Sequence, residues 1–132
     1  MFFAVAAVAL LAGCATTPPA PAGARIVVSP SRQLKITNVQ AERRPSSILV
    51  TGRVGRRPAT RTSVWGHLHV EAWGERGLLK CADTRWTLLR KSRLPTSWFR
   101  TKLEVAPEDV NEIRISHVPA AERREHQSGI CA

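Results

Sequence analysis

Val64-Trp65-Gly66-His67-Leu68-His69-Val70-Glu71-Ala72-Trp73 is the stretch on which the fold turns. Successive side chains of a strand point to opposite faces, so Val64, Gly66, Leu68, Val70 and Ala72 share one side. Trp65, His67, His69, Glu71 and Trp73 share the other. One side is suited to a core; the other gathers imidazole, carboxylate and indole groups. The stretch is therefore read as a strand that is packed on one face and chemically active on the other.

The same two-residue period recurs on both sides of it. In 47–54, Ile48, Val50, Gly52 and Val54 face one way and Leu49, Thr51 and Arg53 the other. In 98–105, Phe99, Leu103 and Val105 share a side, and in 110–118 Ile113 and Ile115 do. Shorter apolar runs at 25–28, 34–39, 78–81 and 85–89 complete the set. Turn chemistry separates them: Ser29-Pro30, Arg44-Pro45, Gly55 to Arg61, Gly74-Glu75-Arg76-Gly77, Leu94-Pro95 and Ala106-Pro107. No segment sustains a 3.6-residue pattern over ten residues. Seven to eight strands within about 100 residues predict an all-β fold, a small antiparallel two-sheet sandwich over 25–119 of immunoglobulin or fibronectin type. A small closed β-barrel is the alternative. The likeness to immunoglobulin modules is architectural, because the Cys-Trp-Cys arrangement of antibody domains is absent. The tail, 120–132, is read as a separate segment with one helical turn around Glu122-Arg123-Arg124-Glu125.

Ahead of the sandwich, Met1 to Ala12 is almost wholly apolar, which suits a secretory signal and is too short to cross a bilayer as a helix of about 20 residues. It runs into Leu11-Ala12-Gly13-Cys14, and here the chain resembles the bacterial lipoprotein signal. In that family a peptidase cleaves before the cysteine, whose sulfur carries diacylglycerol. The resemblance implies a signal peptide over 1–13 and lipidation at Cys14, although no Lys or Arg precedes the apolar run. With Ala15 rather than Asp after the cysteine, it also implies transfer to the outer membrane, facing the periplasm of the bacterial envelope. Residues 14–24 then form a lipidated Pro/Ala tether; its nine residues from Ala15 to Gly23 reach about 25–30 Å.

The formal charge of +10 falls entirely on the part from Arg25 onward, with sixteen Arg against four Lys. Guanidinium is the better fork for phosphate and carboxylate. Nucleic acid, the usual partner of so basic a domain, is not expected for an exported protein. An envelope protein, an anionic lipid or a glycan is, alongside the membrane that holds the lipid anchor. Arg43, Arg44, Arg53, Arg56, Arg57 and Arg61 lie around two loops and form an anion patch if those loops share one end of the sandwich. With Cys14 lipidated, Cys81 and Cys131 are left as an even pair in an oxidising compartment, which predicts one disulfide worth about 4 kcal/mol by loop closure.

Two histidines at i and i+2 on a strand can place two nitrogens on one zinc or copper ion. His67, His69 and Glu71 are the candidate ligands, and a site needs Cys81, Asp83 or His117 to converge on them. His117 shares the parity of Ile113 and Ile115 and is expected to turn toward the core. Trp65 and Trp73 flank the histidines, making Trp65, His67, His69, Glu71 and Trp73 an interaction face, with glycan binding through the tryptophans as a further alternative. The chain lacks Gly-x-Ser-x-Gly, His-Glu-x-x-His and a phosphate-binding glycine loop. The expectation is a non-enzymatic binding or scaffolding lipoprotein, with metal binding through His67 and His69 as the alternative.

Overall fold

The computed structural model describes residues 22–58, 60, 64–86 and 96–120. Seven strands build it: β1 (Arg25–Val28), β2 (Leu34–Arg43), β3 (Ile48–Arg56), β4 (His67–Gly74), β5 (Gly77–Thr84), β6 (Thr96–Leu103) and β7 (Glu112–Val118), with a 3-10 turn at Pro107–Asp109. They form a four-stranded sheet in the order β1-β7-β4-β5 and a three-stranded sheet in the order β2-β3-β6. Among the described residues the sheets do not close on one another, so the sandwich stands rather than the barrel.

Two hairpins, β2–β3 and β4–β5, provide the local pairings. The second turns through Glu75-Arg76, with Gly77 at φ 127°. Every pairing is antiparallel except β1 with β7. These two strands lie at opposite ends of the folded sequence, so no tight turn has to join them and a parallel ladder is open to them.

The alternation read in the sequence gives the core its side chains. Leu34, Ile48, Val50, Val54, Phe99 and Leu103 from one sheet meet Leu68, Val70, Ala72, Ile113 and Ile115 from the other, all essentially buried. Each of the larger ones contributes about 1.5–3 kcal/mol on burial. Gly52 is required here because a Cβ would lie 2.5 Å from Phe99 Cε1; the ring fills the space over the glycine.

Two features depart from simple alternation. The β2–β3 register shifts between Thr37 and Gln40, with Asn38 at φ 52°, a bulge that keeps Gln40 outside and Ala41 inside. Strand pairing also starts only at His67 in the 64–73 stretch. The separate strand expected at 85–89 does not begin at Arg85 or Trp86, since β5 ends at Thr84; its remaining residues lie outside the described ones. Among the described residues no helix is long and apolar enough to cross a membrane. The segment 1–13 and Cys14 lie outside them.

Candidate functional site

β4 is an inner strand, flanked by β7 and β5, and its odd residues project from the outer face of the four-stranded sheet. Trp65 does not continue this row. Gly66 has φ 124°, and a Cβ there would lie 2.1 Å from Val118 O, so the chain turns at a point where only glycine fits. Trp65 is 61% exposed beyond that turn.

His67 and His69 are not open to solvent; they are 6% and 7% exposed. The β4–β5 register sets His69 opposite Asp83. His69 Nδ1 lies 2.7 Å from Asp83 Oδ1, and His67 Nε2 lies 3.5 Å from the same oxygen. On the other side His69 Nε2 is 3.2 Å from Glu71 Oε1, while Trp73 Nε1–H donates to Glu71 Oε2 at 2.7 Å. The result is a continuous chain Trp73–Glu71–His69–Asp83–His67. The His69–Asp83 hydrogen bond, made to a carboxylate by a buried ring, is worth more than a surface pair. Of the side chains read as a contact face, His69, Glu71 and Trp73 thus engage one another and Asp83, His67 lies within ion-pair range of Asp83, and Trp65 stays outside the cluster.

Of the metal candidates, Asp83 does converge on the two imidazoles, but it does so as their hydrogen-bonding and ion-pairing partner. Among the described residues no group of three or more His, Cys, Asp or Glu is disposed to hold a metal ion. His117 stands apart. It has the inward parity expected and is half-buried; its Nδ1 is 2.9 Å from Ser31 Oγ and its Nε2 is 3.1 Å from Trp65 O. A carbonyl only accepts, so Nε2 carries a proton that it donates to Trp65 O. Ser31 Oγ in turn accepts from Leu34 N–H. This latch fixes the entry to β2 against β7 and the Gly66 turn.

Further along the same face Glu112 accepts from Arg114 and Arg25, and these guanidiniums, Arg114 first, hold its carboxyl below the usual value. The Arg114 guanidinium also lies 4.2 Å from the Trp73 ring centroid. Cys81, opposite Glu71 on β5, is half-buried and engaged. Cys131 lies outside the described residues.

The arginines do not form one patch. β2–β3 pairing puts Arg43 and Arg44 at the hairpin end, where Arg44 pairs with Glu42 and Arg43 lies 3.6 Å from Glu108. Arg56 and Arg57 lie at the opposite end, about 26 Å away along eight strand residues. There Arg56 donates to Thr60 O and Arg57 to Ser31 O. Arg53 lies between the two ends, and Arg61 is outside the described residues.

One surface went unread in the sequence. Along β6, Phe99, Thr101 and Leu103 enter the core, so Trp98, Arg100 and Lys102 line the outer face of the three-stranded sheet. Trp98 is 62% exposed, and the Arg53 guanidinium lies 4.7 Å from its ring centroid. The alternation of Trp98-Phe99-Arg100-Thr101-Lys102-Leu103 already carried this signal.

Fold and surfaces together define a class, a small basic two-sheet β-sandwich. No protein-family model matches the chain, and no characterised protein or solved structure gives a significant match.

Proposed function

We propose that the protein is a non-enzymatic lipoprotein of the bacterial envelope, anchored through Cys14 in the outer membrane and facing the periplasm, whose basic sandwich binds an envelope partner. Leu11-Ala12-Gly13-Cys14, set between an apolar run and a Pro/Ala tether, carries this reading. The distribution of surface groups supports it: the polar cluster on β4 is turned upon itself, while Trp98 and its neighbouring cations are left outward. A Cys81–Cys131 disulfide belongs to the same reading, since an exported domain meets an oxidising compartment.

Separation of inner and outer membranes from cells making the wild type or Cys14→Ser tests the proposal. Wild type in the outer-membrane fraction and the variant released from it support the reading. Wild type recovered as a soluble protein overturns it. The metal alternative predicts stoichiometric zinc or copper in protein purified without an affinity tag, and a melting temperature that falls with chelator.

A further inference from the structure

We infer that the outer face of the three-stranded sheet docks on an anionic phospholipid bilayer, with Trp98 in the headgroup layer and Arg53, Arg100 and Lys102 on the phosphates; this rests on the lipid-anchored reading above and names its partner. The two outer faces of the sandwich differ in charge balance. On the four-stranded sheet Glu71, Asp83 and Glu112 answer His67, His69, Arg25 and Arg114. On the three-stranded sheet, Lys35, Arg53 and Arg100 have no carboxylate in salt-bridge range among the described residues, and only Glu42 and Glu104 stand near, beside Arg44 and Lys102.

The arrangement suits a planar array of phosphates. Trp98, Arg100 and Lys102 follow one another in steps of about 6.6 Å, two strand residues each. Trp98 offers an apolar body with a polar N–H, the combination that settles at membrane interfaces. Beyond it a shallow hollow of about 350 Å³ lies among Arg44, Arg100 and Lys102, with Leu49 and Ser46 in its lining. A headgroup entering there meets Arg100, with the salt-bridged Arg44 and Lys102 beside it, over Leu49.

Chain connectivity brings the edge of this sheet near the membrane. Ala22 N–H donates to Ala41 O on β2 at 2.9 Å, so the tether meets the domain at the edge of the three-stranded sheet itself. Seven residues separate Ala22 from Cys14. An anchor at Cys14 therefore holds the β1–β2 edge of the sandwich within tether reach of the lipid surface, and the uncompensated cations turn the three-stranded face toward it.

The test adds vesicles containing brominated phosphatidylcholine, with or without phosphatidylglycerol, to the purified full chain and follows tryptophan quenching. No tryptophan lies before Trp65, so quenching reports the domain whether or not Cys14 carries lipid. Intact mass on the same sample reads lipidation separately. Quenching is expected only with phosphatidylglycerol, weaker in high salt, lost in Trp98→Phe and kept in Trp65→Phe. The combined Arg53→Gln, Arg100→Gln and Lys102→Gln variant should bind about 100-fold more weakly, from three cations near the surface. Equal quenching without phosphatidylglycerol, loss in Trp65→Phe instead, or no Trp98-dependent signal from folded protein overturns the proposal.

Discussion

Replacing His69 by alanine separates a structural histidine from a contact one. The ring is 7% exposed and faces a carboxylate at each nitrogen, Asp83 at 2.7 Å and Glu71 at 3.2 Å. A bond to a charged group contributes about 1.5–3 kcal/mol when buried. Asp83 is 52% exposed in its side chain, so its share is discounted by solvent screening. Glu71 keeps Trp73 as a donor, so its loss is partial. The sum is a cost of about 2 kcal/mol, which for a domain of this size lowers Tm by on the order of 10 °C. Trp98→Ala serves as the comparison, with a cost of at most about 1 kcal/mol because only an exposed ring and its contact with Arg53 are lost. Thermal unfolding followed by circular dichroism reads both. An unchanged Tm for His69→Ala, with a large fall for Trp98→Ala, would refute the assignment of the two faces.

Further outcomes follow from the same geometry. Gly66→Ala places a Cβ 2.1 Å from Val118 O at φ 124°, and chemical denaturation should show a loss of about 2 kcal/mol or more. Glu112 is held below its usual value of 4.5 by Arg114 and Arg25, so the stability it adds is present above pH 4.5 and disappears as pH falls through its lower folded value. Wild type and Glu112→Gln, unfolded side by side across pH, should therefore differ near neutrality and converge in acid. On the proposed Cys81–Cys131 disulfide, reduction should lower Tm in the wild type and leave Cys81→Ser unaffected, which free-thiol counting on the unfolded protein can corroborate.

The division of faces between His67 and Trp73 was legible, because a period of two assigns each side chain to a side whatever surrounds it. The fold class followed from repeating that reading at Ile48–Val54 and Phe99–Leu103. Two things were out of reach in the stretch that decided the fold. Periodicity names the side on which His69 lies, not the burial above it or the register that brings Asp83 opposite. The positive φ at Gly66, which detaches Trp65 from the row, is a backbone property with no separate mark in the residue types around it.

The arginines illustrate the same limit at longer range. Arg43-Arg44 and Arg56-Arg57 are close in sequence, yet a hairpin whose register pairs Leu34 with Arg56 sends them to opposite ends. The shift in β2 could have been found, because its apolar positions change parity between Ile36 and Val39, where Asn38 takes up the bulge. Trp98, Arg100 and Lys102 were equally accessible. They occupy the alternate positions of the strand whose core side Phe99 and Leu103 mark.

The mass of the N-terminal peptide from protein extracted out of its own membranes tests the account most directly. A peptide beginning at Cys14, with Met1 to Gly13 removed and the sulfur carrying diacylglycerol, is the predicted result. An unmodified Cys14, within the intact leader or after cleavage elsewhere, would contradict it.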